Sequence, residues 1–247
     1  AGSLMAVGYA RKTLLKGKLD LILAGGMEAP VTPYALLCCN TYGGLCTENS
    51  DPAAAYRPFD RSRAGFVVGE GAAIMVMEDL ERARDRGAAL MGKITGYGTS
   101  CDGVDRINPD RSGRQLARAV KNALDEAGAA PEDIDYISLD GMADDVWDYG
   151  EADAIKMVFG ERAGDVPVSC PKSMFGNLLG ASGALDVIIA LLAMEHSLIP
   201  PTLNLRDPDP VWLNYVKDKA LERRVDKALV ISRGRGGINS ALVVEKA

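Results

Sequence analysis

From Pro171 to Met194 the chain reads PKSMFGNLLGASGALDVIIALLAM. Within it, Leu178 to Met194 is an apolar run whose one charge is Asp186. The run is long enough to raise the question of a membrane span. It carries Asp186, Gly180 and Gly183, however, and lacks basic flanks, so it fits a buried helix of a water-soluble protein better. A helix with so little polar surface needs cover on nearly every side. A position between two sheets would supply it.

The rest of the chain alternates strands with helices. Gly2 to Lys18 has helical spacing (Leu4, Val7, Ala10, Leu14), with basic residues near its end, where the helix dipole favours them. The pattern is already running at Ala1, with no initiator Met and no cap. It reads as the interior of a longer polypeptide, or as a start supplied by another chain. Leu19 to Ala24 reads as a buried strand feeding a tight turn at Gly25-Gly26. Val31 to Asn40 reads as a short helix, and Ser50 to Arg63 as a loop rich in Pro, Asp and Arg. Gly71 to Met77 is another buried strand, followed by a charged helix from Glu78 to Arg86.

A second series begins near Met91. Strand KITGYGTS and a long loop lead to an amphipathic helix, Gln115 to Ala127. Strand Asp135 to Leu139, helix Tyr149 to Phe159 and strand Val166 to Cys170 precede the apolar helix. An extended IPPTLNL segment and two strands, Ala228 to Ser232 and Ser240 to Glu245, close the chain. This alternation defines an α/β fold, and the unbroken apolar strands imply sheets covered on both faces.

With 247 residues, 47% hydrophobic and 25% charged, the chain has the composition of a globular protein able to build a substantial core. Its net charge of -6 argues against nucleic acid, which requires a basic face. A local basic patch could still dock an acidic partner, although the sequence does not place one. The five cysteines, Cys38, Cys39, Cys46, Cys101 and Cys170, have neither disulfide nor zinc spacing. They are expected to be reduced thiols, mostly small apolar core residues, and with no signal peptide they suggest a cytoplasmic protein. No membrane association is expected.

The glycine-rich turns GGMEAP, GEG (Gly69 to Gly71) and GRGG (Gly234 to Gly237) match no phosphate loop or dinucleotide fingerprint, so no cofactor is expected. They read as turns at positive φ where backbones pack closely. Lys172, at a strand-to-helix junction, is either a buried catalytic cation or a paired structural charge, and spacing alone favours the second. Asp140 with Asp144 and Asp145 could suggest a metal site or acid/base pair. With no further ligand spacing nearby, a solvated acidic loop is the better reading and no metal is expected. The single histidine, His196, ends the long helix in MEHSLIPP and reads as a helix C-terminal residue.

Seven stretches, in order, resemble the β-ketoacyl synthases of the thiolase superfamily. They are AGGMEAPVTPYAL, DPAAAYRPFDRSRAGFVVGEGAAIMVMEDLERARDRGA, PEDIDYISLDG, EADAIKMVFG, KSMFGNLLGASGALD, IPPTLNL and GGINSALV. The resemblance implies the five-layered αβαβα thiolase-like fold. Residues 1–90 would be the remainder of the N-terminal half and 91–247 the complete C-terminal half. Condensing enzymes of that family use a cysteine and two histidines. By the resemblance the cysteine position lies two residues before Ala1. The first histidine, in an HGT motif, aligns with Asp140 in Asp140-Gly141-Met142. The second, after KSMxG, aligns with Asn177, while Lys172, Asp148 and Glu151 are retained. The phenylalanine-rich gate becomes Arg233-Gly234-Arg235-Gly236-Gly237. Met142, Phe175, Arg233 and Arg235 would then be pocket or gate counterparts.

Decarboxylating a malonyl thioester builds charge on an enolate oxygen, and losing one donor to such an oxygen typically slows reaction roughly 100- to 1000-fold. An ionised Asp140 would oppose that charge by on the order of 4 kcal/mol at about 4 Å and an effective dielectric near 20. Asn177 could donate a hydrogen bond but not shuttle a proton. No catalytic residue is therefore expected. Chain length factors of type II polyketide synthases lose the histidines in this way, and SRGRGGINSALV is similar to their C-terminal ARGxGGxNSALV. The resemblance implies a non-catalytic subunit paired as a heterodimer with an active ketosynthase, met by an acyl carrier protein, and shaping the elongation tunnel. The alternatives are a degenerate ketosynthase acting as malonyl decarboxylase or starter-unit acyltransferase, and a structural or carrier-protein-binding homodimer.

Overall fold

The structure, a computed structural model, describes residues 1–247. Helix α1 (Gly2–Leu15) and strand β1 (Leu21–Glu28) are followed by α2 (Pro33–Thr41), β2 (Gly71–Glu78) and α3 (Leu80–Asp85). Strands β3 (Lys93–Cys101), β4 (Tyr136–Ser138) and β5 (Pro167–Ser169) then alternate with α4 (Arg114–Ala127), α5 (Asp145–Phe159) and α6 (Ser182–His196). Short β6 (Leu198–Ile199), β7 (Asn214–Tyr215) and β8 (Leu221–Glu222) precede β9 (Lys227–Gly234) and β10 (Ile238–Glu245).

Six strands form one mixed sheet in the order β3-β10-β9-β4-β5-β7. Strand β10 is antiparallel to β3 and β9, whereas β4 is parallel to β9 and β5. Helices α4 and α5 cover one face, where Leu116, Val120 and Ile155 pack on Ile137, Leu229 and Val243. Helices α1 and α6 cover the other, with Leu4, Val7, Val187 and Met194 against Tyr136, Val230 and Leu242. The far side of α1 and α6 meets Ala24 and Ala73 of β1 and β2, an antiparallel two-stranded sheet. Helix α6 thus lies between two sheets. Leu179 to His196 is long and apolar enough to cross a membrane by length and composition, but the two sheets account for its apolarity.

Four expectations need correction. Gly25 and Gly26 make no turn, because β1 continues through them to Glu28. Close packing requires Gly25: a Cβ there would lie 2.0 Å from the Ala73 carbonyl oxygen of β2. Only the GRGG turn uses left-handed backbone, at Gly236 and Gly237. Strands β1 and β2 are covered on one face only, leaving Leu23, Met27, Ile74 and Val76 exposed on the other. Of the five thiols only Cys170 is buried, and Cys101 is exposed. The two-residue strands β7 and β8 were not anticipated at all.

Candidate functional site

Parallel strands β4 and β5 end side by side, and each hands a charged residue to the same buried spot. Ligand sites in open α/β sheets gather at such carboxyl ends. Asp140 follows β4 and is only 3% exposed, so the expectation of a solvated acidic loop is wrong for this residue. Lys172 lies in the 3-10 turn Pro171–Met174 after β5 and is fully buried. Its Nζ stands 3.5 Å from Asp140 Oδ1 and 2.5 Å from Asp186 Oδ2, on α6. One cation serves two carboxylates. Asp140 Oδ2 and Asp186 Oδ1 are both buried without a hydrogen-bond partner.

Burial works against the Lys172 cation, but Asp186 and Asp140 outweigh it and raise its pKa. Burial pushes the Asp186 carboxyl up to about 6 despite the lysine's pull. Near neutrality both groups are ionised, the acid at about 6 and the lysine held above its usual range. Lys172 therefore reads as a paired charge that partly neutralises Asp140.

Helix α5 and its cap supply further acids beneath Asp140. Asp144 caps it, accepting from the N–H groups of Val146 and Trp147. Buried Asp148 accepts from the N–H groups of Phe59 and Met142 at 2.8 Å each. Glu151 accepts from those of Asp140 and Gly141 at 2.7 and 3.0 Å. The two acids thus hold the 140–142 backbone from beneath. Burial raises Asp148 to about 6. Burial first and the Asp140 charge second raise Glu151 to about 8. Arg63, its side chain almost fully buried, reaches Asp145 at 2.6 Å, Asp209 at 3.5 Å and Asp148 at 3.8 Å.

Asn177 is buried and its side chain is fully engaged. Its Oδ1 accepts from Leu179 N–H at 2.8 Å and Ser182 Oγ at 3.1 Å, closing the turn that starts α6. Its Nδ2 lies 3.2 Å from the sulfur of half-buried Met142. Tyr56 Oη donates to the Gly141 carbonyl at 2.7 Å and also lies within reach of Asn177, so it ties the two segments together. Phe175 is half-buried beside them.

The two arginines expected at the gate, Arg233 and Arg235, differ from each other. Arg233 is buried, stacks on Trp147 at 4.8 Å, and donates to the Trp147 carbonyl at 2.7 Å and Asn239 Oδ1 at 3.3 Å. Arg235 reaches outward, over the Tyr42 ring at 5.5 Å, and donates to the Gly43 carbonyl at 2.8 Å. The Ala1 nitrogen lies 3.2 Å from the Arg233 carbonyl oxygen, so α1 starts beside this strand. His196 is exposed at the opposite end of α6 and supplies no imidazole here.

Sequence reading missed Tyr56, Arg63 and the role of Asp186. Only Asp186 left a signal: an acid inside an apolar helix must find a cation.

Two sheets enclosing a helical layer, with the site at the ends of β4 and β5, define the thiolase-like ketosynthase fold. The AntDE:AntF assembly, a type II polyketide synthase acyl-carrier protein in complex with its ketosynthase bound to the hexaketide, contains a chain that superimposes with a TM-score of 0.96. That match is 33% identical and covers 99% of this chain and 60% of the other. The ishigamide ketosynthase/chain length factor gives 0.91 at 36% identity, over 100% and 59%. The family model for the beta-ketoacyl synthase N-terminal domain matches residues 1–83, and that for the C-terminal domain residues 91–206. The chain belongs to the β-ketoacyl synthase family. Among curated proteins, the tetracenomycin polyketide synthase ketoacyl synthase alpha subunit of Streptomyces glaucescens is 41% identical over 242 residues, covering 98% of this chain and 57% of that protein. The chain therefore spans a little under three-fifths of that relative's length.

Proposed function

We propose that the protein is a non-catalytic, chain-length-factor-like subunit that pairs with an active ketosynthase in type II polyketide synthesis and helps to shape its tunnel. The observation that carries this reading is the state of Asp140. It is a buried carboxyl that shares one lysine with Asp186, in the place where an elongating enzyme of the family would carry an imidazole. Asn177, with its oxygen committed to the start of α6, cannot move a proton between thioester and solvent. A polyketide synthase ketoacyl synthase alpha subunit among the relatives, and a ketosynthase/chain length factor among the structural neighbours, support the polyketide setting.

The name of the relative from Streptomyces glaucescens, an alpha subunit, together with the retained Lys172, Asp148 and Glu151, favours one other reading: a degenerate ketosynthase that still decarboxylates malonyl groups or loads a starter. One experiment separates them. The full-length polypeptide, alone and co-expressed with a type II ketosynthase, is incubated with malonyl acyl carrier protein while released carbon dioxide and mass are followed. The expected outcome is no turnover alone and a stable one-to-one heterodimer on light scattering. Turnover by the isolated full-length polypeptide would overturn the proposal.

A further inference from the structure

Strand β3 stands at one end of the six-stranded sheet and pairs on one side only, with β10. Its nine residues, KITGYGTSC, carry a single charge, Lys93, and two interior glycines, Gly96 and Gly98. Nothing in that composition keeps another strand away. Proteins usually blunt such edges with charges, Pro or a covering element, because a row of unpaired N–H and C=O groups is a template for pairing.

Two side chains supply what the strand lacks. Helix α1 lies on one face of the sheet and sends Arg11 to β3. There Nε donates to the Ile94 carbonyl at 2.8 Å and Nη2 to the Thr95 carbonyl. Helix α4 lies on the other face and sends Glu126, whose Oε2 accepts from the Tyr97 N–H at 2.7 Å. The two side chains meet, Arg11 Nη1 standing 2.9 Å from Glu126 Oε1. Their side chains are only 13% and 33% exposed, so the pair is held in place rather than freely solvated.

The register shows why an arginine fits. Strand β10 pairs with β3 from Ile238↔Cys101 to Val243↔Gly96, skips Thr95, and resumes at Val244↔Ile94. The skipped residue is a β-bulge, which interrupts the ladder and redirects backbone groups. In a regular strand, successive carbonyls point to opposite sides. At the bulge the carbonyls of Ile94 and Thr95 reach the same guanidinium, whose rigid fork of donors takes both. A strand adding to this edge would need the Tyr97 N–H and the Thr95 carbonyl. Both are taken.

We propose that Arg11 and Glu126 form an edge guard: they occupy the free hydrogen-bonding groups of β3 and so bar the same segment of a second copy of this chain from adding to the sheet. The inference stands apart from the polyketide reading.

The test titrates the full-length polypeptide against a fluorescently labelled peptide of residues 93–100, KITGYGTS, and a scrambled version of it, by anisotropy. The variants are R11M/E126M and E126M, which remove the guard, and E126Q, which keeps an acceptor for the Tyr97 N–H. Circular dichroism verifies that they fold. We expect wild type and E126Q to bind the peptide weakly and alike, and R11M/E126M to bind it roughly tenfold or more tightly, with no gain for the scrambled peptide. Hydrogen exchange gives a second reading that stands even if the double variant does not fold. The Tyr97 amide should exchange at least about tenfold faster in E126M than in wild type or E126Q, and slow again when the peptide is added. Equal capture by wild type and R11M/E126M would overturn the guard. So would a Tyr97 amide that exchanges alike in E126M and E126Q. A fast amide in E126M that the peptide fails to slow would also overturn it, leaving the pair a clamp between α1 and α4.

Discussion

Lys172 holds buried Asp140 and Asp186 together, and removing it would leave two carboxylates without their cation. Breaking a buried pair from one side generally costs about 3–5 kcal/mol. We expect Lys172→Met to lose that much stability in urea unfolding, and the added changes Asp140→Asn and Asp186→Asn to restore most of it. A loss under about 1 kcal/mol for the single variant would mean that water or a shifted side chain satisfies the acids. Glu151 makes a separate prediction about pH. Its folded pKa of about 8 lies above the ordinary 4.5, so between those values the folded chain keeps a proton that the unfolded chain releases. Stability then falls as pH rises across that window, by up to about 1.4 kcal/mol per unit. Asp148 and Asp186, near 6, add the same trend lower down and are largely ionised above pH 7, so Glu151 dominates the slope from pH 7 to 8. Glu151→Gln should flatten the stability profile there. An unchanged slope would place the proton elsewhere.

Helix α4 lies directly on β3, and Gly98 permits it. A Cβ at Gly98 would stand 1.9 Å from the Ala119 carbonyl oxygen of α4, a backbone atom that cannot swing aside. Gly98→Val should therefore lift the helix and cost at least about 1–3 kcal/mol, read as a lower melting temperature. An unchanged melting temperature would show that α4 tolerates displacement. Elements of this kind were legible in the sequence because their patterns are local. The apolar periodicity of α4, the unbroken β9 and β10, and the covered helix α6 all follow from spacing. What failed depended on distant partners. Gly25 and Gly26 look like a turn until α1 and β2 close on them. Asp140 looks solvated until Lys172 and Asp186 arrive from β5 and α6. Strands β7 and β8, of two residues each, are too short to have a period. At the site, Asp140 and Asn177 were singled out by family resemblance alone, whereas Tyr56, which bridges their segments, carried no local signal.

At the scale of the whole molecule, the outer face of β1 and β2 departs from a closed globular surface. Leu23 and Val76 pair across the two strands, with Ile74 and Met27 beside them, and these side chains are 60–76% exposed. Two-stranded sheets are marginal in water by themselves, and contiguous apolar faces of this kind mark surfaces that seek cover. The other face of the same sheet is fixed by α1 and α6, so the exposed side chains cannot turn inward without undoing the register from Leu21↔Glu78 to Glu28↔Gly71. The 247-residue polypeptide by itself should therefore bind 8-anilinonaphthalene-1-sulfonate with enhanced fluorescence and self-associate on light scattering as concentration rises. Leu23→Glu with Val76→Lys, an opposite-charge pair facing each other across the strands, should suppress both signals while leaving the far-ultraviolet circular dichroism unchanged. If the unaltered chain stays monomeric and dark to the dye, the exposed ladder is not the adhesive surface its side chains describe.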